Sequence, residues 1–181
     1  MTTVITHAAV GLALGHAVRP VRCGHRYWLA CALLPAIQDA DVFGFPLGIA
    51  YGDLLGHRGL SHSLAFAILL GLATALSMGW WEKRDWHQTR HLAILFVVLA
   101  ASHGPMDMLT NGGLGIALFS PFDAERYFWD WRPILVSPIG LRNFLSPWGW
   151  AVVLNELRWF GPPIALLAAF TLIRRLRARN A

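Results

Sequence analysis

Long apolar runs dominate the chain, broken by short polar clusters, and the runs predict its elements. The clearest is Leu64 to Trp81, 18 residues without a charge, long enough to cross the hydrocarbon core of a bilayer as one helix. Upstream, Thr6 is placed to cap a short Gly/Ala-rich helix from His7 to His16 that stops before Pro20. Such a composition suits close helix packing in lipid. A second apolar segment runs from Tyr27 to about Ile37 and enters Gln38-Asp39-Ala40-Asp41. A Gly/Pro-containing connection then leads to His57-Arg58-Gly59-Leu60-Ser61-His62-Ser63, where Ser61 offers a cap for the long helix. The stretch Glu82 to His91 reads as a polar loop. A fourth segment climbs from Leu92 to His103 and Asp107, with Gly104-Pro105 predicting a break between those two residues. Residues 112–149 form a long aromatic, proline-containing connection, expected to fold as a lid or interfacial layer. The last apolar segment, Trp150 to Ile173, is interrupted by Gly161-Pro162-Pro163 and ends in an arginine-rich tail. The pattern predicts an all-α integral membrane bundle of four to five helices with a long interfacial loop, residues 1–181 forming a single domain.

Composition supports the membrane assignment. Hydrophobic residues make up 56% of the chain, mean hydropathy is +0.48 and only 14% of residues are charged, against about 25% in soluble domains. Nine tryptophans and ten phenylalanines suit interfacial belts. The first ten residues lack the positive stretch of a cleaved secretory signal and are expected to be retained. Cys23 and Cys31 form neither a CxxC pair nor a disulfide framework, which argues against redox chemistry.

The formal charge of +5 does not predict a nucleic-acid partner, because the basic residues flank apolar runs instead of lining one polar stripe. They read as topology determinants and contacts for anionic lipid. With five crossings, the clusters Arg19–Arg26, Lys83–Arg90 and Arg174–Arg179 fall on one side, the cytoplasmic one by the positive-inside rule. His7 lies 12 residues from Arg19, Asp39 lies 13 from Arg26, and His103 lies 13 from Arg90. At the helical rise each sits roughly 18–20 Å above the basic side. His62 begins a helix descending from the same level. Arginine and lysine alone therefore gather His7, Asp39, Asp41, His57, His62, His103 and Asp107 at one depth on the non-cytoplasmic side.

Imidazole and carboxylate side chains at one depth are ligands for a borderline divalent ion. His7, Asp39, His62, His103 and Asp107 are the candidate metal ligands, and Asp41, His57 and Arg58 the candidate catalytic residues. The set exceeds one tetrahedral shell. It suits either a two-metal site that activates water for attack on a phosphoryl or acyl centre, or one shell with surplus members as orienters or a general base. Zinc is the expected ion, with manganese or iron as alternatives and magnesium less suited. Arg58 is placed either to pair with a carboxylate or to clamp a phosphate. Each residue also has an ordinary reading: His7 as a core histidine, the aspartates as caps, His103 and Asp107 as a mutual hydrogen bond. His16, His25, His87 and His91 fall near the basic side and are expected not to ligate.

Several stretches resemble a family of bacterial, LexA-regulated inner-membrane proteins assigned as metal-dependent hydrolases. They are Thr6-His7-Ala8-Ala9, Leu34–Asp41 with its D-x-D, His57–Ser63, His103–Thr110 as H-x-x-x-D-x-x-T, Pro121–Phe128, and Ser137-Pro138. That family's pattern has P-D-x-D, whereas Ala-Ile-Gln separates Pro35 from Asp39 here, so both aspartates stand as candidate ligands. The H-x-x-x-D is also similar to one element of zinc-dependent phospholipase C, although no partner H-x-x-x-E occurs. The resemblance implies a multi-pass inner-membrane hydrolase without supplying its substrate. A site at the bilayer edge points to membrane lipids and lipid-like or small-molecule substrates. Arg58 and Arg126 would then hold an anionic group, and Trp129, Trp131 and Trp148 would line or cover the site. The competing class is a non-catalytic membrane protein, either a metal-stabilised structural or regulatory bundle or a small transporter. A transporter's relay would spread ionisable groups across the membrane, unlike the single level found here.

Overall fold

A computed structural model describes residues 1–19 and 23–180; Pro20 and Arg22, the expected helix stop and part of the first basic cluster, lie outside them. Among the described residues the chain is helical, with two isolated bridges in place of strands. Seven helices follow in order: α1 (Val4–Val18), α2 (His25–Leu33), α3 (Leu64–Trp81), α4 (Trp86–Ala101), α5 (His103–Met108), α6 (Leu141–Phe144) and α7 (Pro147–Asn180). Two 3-10 helices, Ile37–Leu47 and Leu60–His62, link α2 to α3. Three apolar stretches are long enough to span a membrane: α3, α4 with α5, and α7. The bent pair of α2 and Ile37–Leu47 qualifies as a fourth, turning by 55°, whereas α1 is shorter. The described architecture is thus the expected helical membrane bundle.

The element boundaries depart from the sequence reading where a side chain or a tertiary contact decides. Helix α1 starts earlier than His7 because Thr3, not Thr6, is its cap, accepting from the Thr6 amide. Ser63, not Ser61, caps α3 by accepting from the Phe66 amide. Asp85 caps α4 through the Gln88 amide, so the predicted polar loop shrinks to four residues and Trp86 to His91 join the helix. His103 opens α5 after a junction at Ser102 instead of closing the preceding helix, so it shares one short helix with Asp107. The Gly161-Pro162-Pro163 run does not interrupt α7, which continues through both prolines for 34 residues. Apolar spans tolerate such prolines because neighbouring groups re-satisfy the freed carbonyls.

The core lies where α4 packs between α2 and α3, centred on Tyr27, Cys31, Ala75, Phe96 and Leu99. Gly71 lets α3 approach α4 closely: a Cβ there would stand 2.5 Å from the Val97 amide nitrogen and 2.6 Å from its Cα. Because that neighbour is backbone, it cannot swing aside. Gly71→Val is expected to force the helices apart and cost at least about 1–3 kcal/mol, read as a lowered unfolding temperature in detergent. An unchanged temperature would contradict the close crossing.

The basic ends of the helices meet. Arg26 at the start of α2 lies 5.6 Å over the ring of Trp81 at the end of α3. Arg175 of α7 reaches His16 near the end of α1 through both its ring nitrogen, at 2.9 Å, and its carbonyl, at 2.6 Å. The start of α1, the Ile37–Leu47 helix, Leu60–His62 and α5 gather at the opposite end.

Candidate metal centre

Three short pieces of backbone bring the polar residues together. The chain leaves α2 through Pro35 and Ala36 into the Ile37–Leu47 helix, whose tight winding buries Asp39 and leaves Asp41 half-buried. The His57–Ser63 segment turns sharply at Arg58, which adopts a left-handed φ of 64°. Its last residues wind into Leu60–His62 and set a buried His62 just ahead of α3. Helix α5 presents His103 and Asp107, four residues apart and both fully buried, on one face.

Asp39, His62, His103 and Asp107 each offer a ligand atom, and the four atoms lie within 4.8 Å of one another. Asp39 Oδ1 stands 3.4 Å from His62 Nε2 and 3.6 Å from His103 Nε2, while Asp107 Oδ2 stands 3.9 Å from His62 Nε2. Two donors bound about 2.0 Å from a tetrahedral zinc are themselves about 3.3 Å apart, so these spacings fit a shared ion. Both Asp39 oxygens, the Nε2 atoms of His62 and His103, and Asp107 Oδ2 are buried without a hydrogen-bond partner. Five unsatisfied polar atoms converging in one place would carry a heavy desolvation cost unless something else met them.

The far sides of both histidines are satisfied in the manner of metal ligands. His103 Nδ1 lies 2.6 Å from the Pro35 carbonyl oxygen. A carbonyl only accepts, so Nδ1 carries the hydrogen and the neutral ring turns its Nε2 lone pair inward. His62 Nδ1 meets Asp41 Oδ2 at 3.1 Å. A carboxylate or carbonyl behind the imidazole is the usual support of a ligating histidine. Burial opposes charge on His62, but the carboxylates of Asp39 at 3.4 Å and Asp41 at 3.1 Å outweigh it and hold its pKa up at about 9. The carboxylates of the cluster thus favour positive charge placed between them.

The remaining candidates surround this shell. Asp41, His57 and His62 form a second group with ligand spacing, but its atoms are bonded to one another. Asp41 takes His57 Nδ1 at 2.7 Å, the Ser61 hydroxyl at 2.6 Å and the Arg58 amide at 3.2 Å. The geometry thus favours one ion over the two-metal alternative. His7 lies outside the group of four, with Nε2 at 3.2 Å from Asp107 Oδ1 and its ring stacked on His103 at 4.0 Å. Asp107 is further held by the Thr2 amide at 2.5 Å.

Arg58 is fully buried and its donors point into the protein. They reach the carbonyls of Gly112 at 3.0 Å and Leu114 at 3.2 Å and the Thr110 hydroxyl at 2.7 Å, with Nε 3.4 Å from Asp107 Oδ2. Of the two roles open to it, the pairing with a carboxylate describes these contacts and the anion clamp does not. Arg126 likewise spends its guanidinium on backbone carbonyls, including those of His57 and Tyr51. Trp129 pins the long connection to α5, its amide reaching Met108 and its ring N–H reaching Pro105. Trp131 packs instead on Trp159, and Trp148 donates to Val136.

Sequence reasoning missed Glu156 of α7. Its buried carboxylate accepts from the Thr3 amide at 2.6 Å and from the Thr3 and Thr6 hydroxyls at 2.5 and 2.6 Å, tying α7 to the start of α1. A lone acid inside the last apolar run was the available signal, since an intramembrane carboxylate needs partners. Gln38, which ties its helix to the Ala100 carbonyl at 2.6 Å, was also passed over.

A family model described as YdjM inner membrane protein matches residues 1–181. The chain is 36% identical over 179 residues to inner membrane protein YbcI of Escherichia coli (strain K12), covering 97% of this chain and 99% of that one. No solved structure matches it. The chain belongs to the YdjM inner membrane protein family.

Proposed function

We propose that this member of the YdjM inner membrane protein family is a metal-dependent hydrolase with a single divalent ion, zinc by preference, acting on an ester or phosphoester of a lipid-like substrate. The observation that carries the reading is the set of five unpartnered buried atoms on Asp39, His62, His103 and Asp107. When bound, a divalent ion supplies Lewis acidity and makes water a nucleophile near neutral pH. Asp41 and the Pro35 carbonyl orient the two ligating histidines. Asp41 also holds His57 Nδ1 at 2.7 Å, fixing the tautomer of a residue suited to general-base work. Arg58 positions Asp107 and the 110–114 segment. All four ligands are buried, so turnover requires the 112–149 connection, pinned at Trp129, to lift from α5.

Complete burial also favours a second reading, a non-catalytic bundle stabilised by its ion, because closed sites are typically structural. One experiment separates the two. Wild type, His57→Gln and Asp39→Ala protein are analysed for bound metal and incubated with extracted membrane lipids, with products read by mass spectrometry. Hydrolysis predicts metal in wild type and His57→Gln, none in Asp39→Ala, and products from wild type alone. Identical product profiles with metal bound in the wild type would move the assignment to the structural reading.

The proposed orientation places the basic helix ends in the cytoplasm and the metal centre at the opposite face. In a background lacking Cys23 and Cys31, His87→Cys and Ala178→Cys are expected to label from the cytoplasmic side and Ala124→Cys from the other. Labelling of 87 and 178 from opposite sides would refute the topology.

A further inference from the structure

Between α2 and α3 lies an apolar groove of about 610 Å³, lined by none of the candidate ligands, running from Arg26 and Trp81 at the basic end to Ile37 and Leu70. Along α3 that is eleven residues, roughly 17 Å, or about the depth of one leaflet of a bilayer whose hydrocarbon core is about 30 Å thick. Leu29, Leu33 and Ala73 present exposed apolar surface to it. Its basic mouth is built for an anion by two separate features. The Arg26 guanidinium rests on the Trp81 ring and makes no ion pair with a carboxylate among the described residues. Gly24, just ahead of α2, supplies no side-chain cap to the amides of His25 and Arg26, and uncapped amides at a helix start attract phosphate. Glu82, the acid nearest in sequence to Trp81, is already bound to Arg84 at 2.7 Å, leaving little to receive the ammonium of a zwitterionic head group.

We infer that this groove binds one acyl chain of an anionic glycerophospholipid of the phosphatidylglycerol class, with its phosphate at Arg26 and the start of α2. The apolar wall accepts the chain, and the unpaired guanidinium selects the head group. The site is independent of the proposed hydrolase centre and belongs to the leaflet on the basic side.

The test reconstitutes purified protein into phosphatidylcholine bilayers containing a minor fraction of phosphatidylglycerol, extracts it in mild detergent, and counts retained lipids by native mass spectrometry. Wild type is expected to retain phosphatidylglycerol several-fold above its share of the bilayer. Arg26→Gln should keep a lipid but lose the preference. Ala73→Trp, which fills the groove from an exposed position, should lose the retained lipid, whereas Leu72→Trp on the neighbouring lipid-facing surface should behave as wild type. Retention in bulk proportion by wild type, or undiminished preference in Arg26→Gln, overturns the inference. If Ala73→Trp fails to accumulate, the Arg26→Gln comparison decides it alone.

Discussion

Asp39→Ala is expected to empty the metal centre while leaving the metal-free protein about as stable as wild type. Neither Asp39 oxygen has a hydrogen bond, and until an ion arrives the approach of His62 at 3.4 Å is set against repulsion from Asp107 and the cost of desolvation, so losing the carboxylate costs the metal-free protein little. Removing a supporting group behind a metal ligand typically costs 10–100-fold in affinity, so removing a ligand should cost at least about 100-fold. Asp107→Ala should behave differently. Asp107 receives the Thr2 amide, His7 Nε2 and the approach of Arg58 Nε, and its loss leaves a buried guanidinium uncompensated. Breaking such a pair costs about 3–5 kcal/mol, so this variant should lose metal and also unfold at lower temperature in chelator. Elemental analysis and thermal unfolding with and without chelator read the two effects separately. An Asp39→Ala protein that keeps its metal would remove the ion from this cluster.

The contrast between the two aspartates shows how far the sequence could be read. Both were candidate ligands on spacing alone, and so was Asp41. The depth argument, built from arginine and lysine positions, placed these side chains at one end of the bundle because charge placement and span length are set by the membrane, a constraint acting on every helix at once. Helix α3 was legible to the residue for the same reason. Partner choice within the cluster was not legible. Whether Asp39 or Asp41 faces the ion depends on the 3-10 winding of Ile37–Leu47 and on His57 and Ser61 claiming Asp41 first. Boundaries failed where two equivalent caps competed, Thr3 against Thr6 and Ser61 against Ser63. For the serines a distant carboxylate, Asp41, engages Ser61, the one that does not cap, whereas Glu156 takes the hydroxyls of both Thr3 and Thr6. The unbroken α7 shows the same limit: Gly-Pro-Pro is a stop signal in water, and lipid weakens it because leaving the helix would expose backbone to hydrocarbon.

Arg58→Ala is expected to be the most damaging single change outside the ligand shell. The guanidinium sits fully buried at a left-handed turn and closes three contacts on the 110–114 segment while facing Asp107. Truncation strands the Gly112 and Leu114 carbonyls and removes a cation from beside Asp107, a loss of about 3–5 kcal/mol. Arg58→Lys keeps the charge but not the planar fork, so one ammonium cannot reach both carbonyls and Thr110 together. The lysine variant should therefore show an intermediate loss. Its deficit should appear first in the long connection, as protease cleavage near residues 110–116 at temperatures where α3 and α4 remain intact. A guanidinium reserved for an anionic substrate would behave otherwise: both variants would unfold like wild type, and only activity would fall. Limited proteolysis alongside thermal unfolding distinguishes the outcomes, and wild-type stability in Arg58→Ala would refute the structural role given to it here.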